Sequence, residues 1–525
     1  MKKLASLCLA LASLATLGGC DKRFEEINTD PTKLTPANMN YNYLFTAAEL
    51  VTSGNSDANA YEDWRNNLIY GATMMQHLSS TVGYWQGDKY TYNPGYNSAY
   101  WDVNYPNSIK NIVDVVHNIE SDSRLANFHQ IARIFKVFMF QRLTDMYGDI
   151  PYKEAGLGYI SGNTQPKYDL QQDIYADMLK ELDEAATALS ASAPNTVGAA
   201  DIIYAGDPVK WKKFAYSEML RLAMRMSKVD PATAKTWAAK AFAGGVITAN
   251  ADNALLQHPN LAPQNNRSNG SGSVLIAQDP NATRVSNTFV QFLKTNGDPR
   301  LHWIATVAAN PSSATDLGDT TSAIQLGQPN GYDAGGTRPI TSAPNWPGDQ
   351  NKYSIVNRYT YARFDAPTFF LTAAESQLLL AEAAERGWIT GSAATFYNAG
   401  VTAAMDQFSQ FNNGRVSGVS IPSSQITAYL AAHPYSSSAG YQMINDQYWV
   451  ATFMDEYEAW ANWRRSNYPS LTSSGNYPGN VTGGTIPRRF TYPLNEAAVN
   501  PANYSAAIGR LNGGDKMTSR VWWDK

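Results

Sequence analysis

The sequence predicts a mainly α-helical protein: one large helical body carrying long irregular loops, with at most a short hairpin or two. Two observations lead there. Apolar residues recur at helical spacing in segment after segment between positions 61 and 463. The stretches between them, notably Asn250–Arg284, Ala308–Tyr353, Asn412–Ser424 and Pro469–Arg489, have no period and are rich in Gly, Asn, Ser and Pro. Loops of that length in a folded domain are usually functional or disordered.

The chain starts with a targeting signal. MKKLASLCLALASLATLGGC has two lysines, an apolar run from Leu4 to Leu17, then Gly18, Gly19 and Cys20. That order reads as a secretory signal over residues 1–19, and the run is too short for a permanent span. Leu17-Gly18-Gly19-Cys20 resembles a bacterial lipobox, in which the cysteine is acylated. Cys20 would then carry lipid, and the mature chain would keep no thiol for a disulfide or a cysteine zinc site. Losing Lys2 and Lys3 leaves 39 basic against 45 acidic residues, a net charge of −6. That balance gives no electrostatic reason to expect nucleic acid. Residues 20–36, polar with Pro31 and Pro36, read as a lipidated tether, and 37–525 as the folded domain.

Within the domain the helical segments follow in order. YEDWRNNLIYGATMMQHL has a stripe of Trp64, Leu68, Ile69, Met74, Met75 and Leu78. RLANFHQIARIFKVFMFQRLTDMYG is apolar on most faces and reads as a buried central helix ending at Gly148. Asp169 is the expected cap of DLQQDIYADMLKELDEAATALS. Asp207-Pro208 and Asp230-Pro231 each open a helix, the second stopped by two glycines. Thr368–Arg386 and Ser392–Phe408 form a helix–turn–helix of about 34-residue tetratricopeptide length; an ordinary antiparallel pair would look the same. YQMINDQYWVATFMDEYEAWANWRR reads as one last long helix.

Catalytic chemistry is hard to find. The six histidines fall in no HExxH spacing, and neither GxSxG nor a phosphate-binding glycine loop occurs. Asp145 and Asp149 flank Met146-Tyr147-Gly148 at a helix end, where acids cap or bond turn amides more often than they catalyse. Arg464-Arg465 and Arg488-Arg489 could meet an acidic ligand, but ion pairs between helices are the plainer reading.

One stretch stands out. GYWQGDKYTYNPGYNSAYW, Gly83 to Trp101, holds seven Tyr or Trp among nineteen residues and no Leu, Ile, Val or Phe. Flat rings suit the C–H faces of sugars, and Asn, Asp, Gln or Arg suit their hydroxyls. Tyr84, Trp85, Tyr90, Tyr92 and Tyr96 are candidate platforms, with Gln86, Asp88 and Asn93 as polar partners. Tyr332 and Trp346, in GYDAGGTRPITSAPNWPGDQNKY, are a second candidate pair. The alternatives are that these rings pack the loops onto the helical body or face a partner protein.

Eight segments in order then carry a resemblance: FEEINTDPTKLTP, YWDVNYPNSIKNIVDVV, QRLTDMYGDIPYKEA, DPVKWKKFAYSEMLRLAMRMS, LTAAESQLLLAEAAERGW, YEAWANWRRSNYP, IPRRFTYPLNEAAVNPANY and RVWWDK. Together they resemble the SusD/RagB family of nutrient-binding outer-membrane lipoproteins, in the branch with a DMYGDIPY signature and a Trp-Trp-Asp ending. The resemblance runs from Cys20 onward. It implies a single domain of tetratricopeptide-like helix pairs with long loops, anchored by lipid at the outer membrane and exposed at the cell surface. It implies partnership with a SusC-like TonB-dependent transporter, capture of an oligosaccharide or, in some members, a peptide, no cofactor and no catalysis. Trp101 and the signature then read as packing residues. Ligand-contacting residues vary within the family and do not transfer. The competing function is a surface-anchored glycan hydrolase.

Overall fold

A computed structural model describes residues 39–55, 61–261, 265, 267–475 and 477–525. The signal, Cys20 and the tether lie outside the described residues. The helices that build the body are α1 (Tyr41–Thr52), the π-type α2 (Asp63–Ala72), α3 (Lys110–Ile119), α4 (Ala126–Tyr147), α5 (Gln171–Ala188), α6 (Pro208–Arg225), α7 (Pro231–Gly244), α8 (Ala373–Glu385), α9 (Ala393–Asp406), α10 (Gly440–Ala451) and α11 (Glu456–Ser466). Successive helices pair in space, α3 with α4, α6 with α7, α8 with α9 and α10 with α11, as in tetratricopeptide units. From Asn42 to Lys525 the chain packs as one unit. Among the described residues, strands occur only as short antiparallel pairs, such as Leu78–Ser80 with Thr283–Val285. No described helix is long and apolar enough to cross a membrane.

The caps show why these segments are helical. Asp207 accepts hydrogen bonds from the amides of Val209 and Lys210, and Asp230 from that of Thr233; proline follows each. Thr372 and Glu375 form a reciprocal capping box at the start of α8. That helix begins five residues later than its apolar pattern, because Thr368–Leu371 is a strand paired with Ala254–Leu256. Leu78 likewise leaves the helical stripe for a strand.

Two expectations are corrected. Asp169 does not cap α5. Its carboxylate accepts from the amides of Tyr152 and Lys153, while Asp149 accepts from Gln171 N at 2.9 Å. The cap is thus supplied from the DMYGDIPY turn, not from the adjacent acid. The last long helix is broken at Thr452–Asp455, where Met454 has φ +76°. The break turns two acids inward: Asp455 meets Arg142 at 3.2 Å, and Glu456 meets the buried His77 at 2.8 Å.

The core has an aromatic half and an ionic half. Phe45 on α1 packs edge-on against Phe128 and Phe135 on α4, and Phe138 against Phe214 and Phe370. At the other end of α4, Asp145 is buried among Arg225 (3.3 Å), the Trp523 indole N–H (2.9 Å) and the Tyr175 hydroxyl. Glu458 bonds Arg225 at 2.6 Å, and Glu375 bonds Arg221 at 2.6 Å. Arg465 pairs with Glu382, and Arg488 with Asp524. Arg464 instead donates to the carbonyls of Asp145 and Arg488 and lies over Trp460 and Trp523; burial lowers its pKa to about 9. Both dibasic pairs are therefore buried core groups. Trp101 is buried among Tyr105, Tyr147 and Tyr492.

Candidate functional site

The aromatic loop is tied down, and its rings divide into exposed and buried sets. Lys89 is buried, and its ammonium donates to the carbonyls of Val82 (3.2 Å) and Trp85 (3.1 Å) and to the Ser80 hydroxyl. Asp88 is buried too, accepting from Ser80 N and Ser80 Oγ and, across the molecule, from Gly331 N and Asn330 Nδ2. Gly87 sits where a Cβ would lie 2.4 Å from the Ile69 carbonyl oxygen, so only glycine lets the loop dock on α2.

Of the predicted platforms, Trp85 and Tyr90 are 0% and 1% exposed. Neither can offer a face to a ligand; Trp85, Asp88 and Tyr90 are packing residues. Tyr90 instead receives the Ser474 amide on its hydroxyl. Gln86 and Asn93 hold the turn: the Asn93 side chain caps Pro94–Asn97 by accepting from Tyr96 N, and Gln86 lies 3.4 Å from the Tyr70 hydroxyl. Tyr92 is exposed but turns toward Thr491. Trp346 packs on Tyr353, and Tyr332 joins them in a small apolar cluster with Ile340 and Ala343 while lying against Arg338. The second loop meets the first through Ala334 N, which donates to the Thr81 carbonyl at 2.7 Å.

Tyr84 and Tyr96 remain, and the structure surrounds them with residues that were not among the expected ligand contacts. Tyr61, Trp64 and Arg65 come from the start of α2. The Arg65 guanidinium lies 3.8 Å from the Tyr61 ring centre, 5.1 Å from Trp64 and 5.6 Å from Tyr96. Asp279 follows the helical turn Val274–Gln278. It accepts from the Tyr84 hydroxyl at 2.7 Å and from the Trp85 indole N–H at 2.8 Å. Burial raises the Asp279 pKa, and the Tyr84, Trp85 and Trp64 donors oppose that. Burial lowers the Arg65 pKa, with Tyr61, Tyr96 and Glu62 opposing.

The result is a half-exposed patch in which three rings, Tyr61, Trp64 and Tyr96, lie around the Arg65 cation and a fourth, Tyr84, is tied to the Asp279 carboxylate. Trp85 holds that carboxylate from behind while Tyr84 presents its ring outward, 45% exposed. Aromatic faces with a planar donor and a fixed acceptor suit a ligand having both C–H faces and hydroxyls. The signal for the missed residues was in YEDWR, read only as a helical stripe. In the π-type α2, Trp64 and Arg65 lie half-buried at the surface.

Residues 38–493 match the SusD-like family described as starch-binding and associating with the outer membrane. A solved structure described as a chitin-binding protein is 36% identical, with TM-score 0.80, covering 93% of this chain and all of its own. A Bacteroidetes SusD-like structure is 28% identical with TM-score 0.80 and the same coverage. A chitin-binding SusD homologue from Flavobacterium johnsoniae is 24% identical, with TM-score 0.74, over 93% of this chain and 99% of its own. No curated protein matches the chain. A match over most of its length, on a body of paired helices, means that the chain belongs to the SusD-like family.

Proposed function

We propose that this protein is a lipid-anchored, surface-exposed glycan-binding protein of the outer membrane, one that captures an oligosaccharide and passes it to a SusC-like TonB-dependent transporter without cleaving it. The observation that carries the binding role is the patch of Tyr61, Trp64, Tyr84 and Tyr96 around Arg65 and Asp279. The family description and the chitin-binding structures support a saccharide ligand, and a chito-oligosaccharide is the first ligand to try. Binding without turnover fits a carboxylate, Asp279, that is already engaged by Tyr84 and Trp85 and so is not free to act on a glycosidic bond.

Calorimetric titration with chito- and malto-oligosaccharides, followed by product analysis, tests the reading. Saturable binding of either with no shortened product supports it. Released sugars, or no binding to any saccharide, overturn it. The anchor is tested by Cys20→Ala, which should leave the protein in the soluble fraction and unlabelled by lipid. Copurification with a transporter from membranes tests the partner.

A further inference from the structure

The aromatic patch draws on three chain segments, the start of α2, the loop carrying Tyr84 and Tyr96, and the stretch Gly270–Asp279, and the first and third are far apart in sequence. Directly behind it a buried hydrogen bond joins these two. The Ser271 hydroxyl donates to Asp63 Oδ2 at 2.5 Å, and Asn67 Nδ2 donates to the Ser271 oxygen at 3.3 Å. Asp63 and Ser271 are both buried. Gly54 closes over this node. It has φ +68°, a Cβ there would lie 2.8 Å from Asp63 Cγ, and its carbonyl accepts the Gly270 amide.

Asp63 also borders a cavity of about 60 Å³. Arg142 of α4, Asp455 before α11 and Glu375 of α8 line it, with Glu62, Tyr100 and Tyr457 alongside. The Arg142 charge is shared with Asp455, and Glu375 is taken by Arg221. The Ser271 hydroxyl is thus the closest direct donor to the Asp63 carboxylate.

We propose that the Asp63–Ser271 clasp is a positioning element of the glycan-binding patch, tightest when Asp63 is ionised, so that ligand affinity rises as Asp63 loses its proton. This rests on the function proposed above. An ionised carboxylate takes a charge-assisted hydrogen bond, roughly twice as strong as a neutral one. A protonated Asp63 holds Ser271 less firmly. The segment carrying Asp279 then drifts from Trp64 and Arg65. Burial pushes the Asp63 carboxyl up to about 7; Ser271, Asn67 and Arg142 oppose this and Asp455 adds to it. The clasp therefore changes state near neutrality.

Stability should move the other way. A carboxyl whose folded pKa lies above its unfolded value gives its full stability at low pH and loses it as pH rises through the folded value. Ionising Asp63 thus costs stability while tightening the patch, a pairing that a purely structural residue would not show.

The test uses the full chain, a chito-oligosaccharide and titrations from about pH 5.5 to 8.5, on either side of the folded value. Wild-type affinity should fall several-fold toward the acid end, with a midpoint near 7. Asp63→Asn should bind weakly at every pH, with a flat profile, yet melt at or above the wild type at the alkaline end. Ser271→Ala keeps the carboxylate and should shift the midpoint upward. An unchanged profile in Asp63→Asn, or a flat one in the wild type, overturns the proposal. If no saccharide binds the wild type, the function reading fails, and hydrogen exchange without ligand decides the clasp. Amides of 61–72 and 270–279 should then lose protection together on acidification in the wild type but not in Asp63→Asn. Protection that does not change overturns the clasp as well.

Discussion

Tyr84 and Trp85 are neighbours with opposite roles, and substitution should separate them. Trp85→Ala removes a fully buried indole and the donor that fixes Asp279. It should cost about 3–5 kcal/mol of stability, visible as a large drop in melting temperature. Tyr84→Ala removes a half-exposed ring and should leave melting nearly unchanged while weakening saccharide binding. Tyr84→Phe keeps the ring and loses the bond to Asp279, so its affinity should fall between the two. If Tyr84→Ala binds like the wild type, the ring is not a platform. The sequence marks the neighbourhood of this patch through its density of rings without aliphatic partners, and Tyr84 and Tyr96 do sit there. It does not show that Trp85 and Tyr90 would be swallowed, because that depends on Lys89 and Asp88 pulling the loop inward to Ser80 and Gly331. Nor does it show Asp279, which reaches Tyr84 across 195 residues.

Helix ends offer the clearest contrast at the level of elements. Gln171 N at the start of α5 is satisfied by Asp149, so Asp149→Ala should cost about 1 kcal/mol, the usual worth of a cap. Hydrogen exchange should speed up at Gln171 and the residues next to it. Asp169→Ala should instead loosen Tyr152 and Lys153, whose amides it holds. Faster exchange in α5 on losing Asp169 would contradict the structure. Helices with local signals were legible in the sequence: Asp-Pro openings and paired glycines mark ends by contacts within a few residues. The misread places are those settled from afar. α8 loses its first turn to a strand pairing with Ala254–Leu256. The break before α11 exists because Arg142 and His77 draw Asp455 and Glu456 inward.

At the scale of the whole molecule, buried ion pairs make the body sensitive to acid. Burial works against the Glu382 carboxylate, but Arg465 and Arg386 hold its pKa down at about 2. A carboxylate depressed in this way lends stability above its unfolded pKa, and that stability is lost as pH falls toward the folded value. The loss should run from about pH 4.5 down to about 2. Arg465→Gln leaves Glu382 buried without its main partner. It should cost about 3–5 kcal/mol and raise the pH midpoint of acid unfolding, followed by circular dichroism. Since the unit from Asn42 to Lys525 shares one core, both proteins should unfold in a single helix-dominated transition. Two separated transitions would show that the ionic and aromatic halves are independent. The helical class of this body and its paired helices were legible from periodicity; the ionic interior was not, because Asp145, Arg225, Glu375 and Glu458 converge from four separate helices.

The bond between Asp145 and the Trp523 indole spans 378 residues. A chain emerging from a ribosome exposes that acid roughly 20 to 75 s before its partner arrives, at about 5–20 residues per second. Helices can form as they emerge, and Tyr175 and Arg225 reach Asp145 early, yet the indole bond that completes its surroundings waits for the whole interval. A chain threaded N-terminus first through any pore is in the same position. Its interior closes only once residue 523 is through, so a locked core certifies passage at least as far as Trp523.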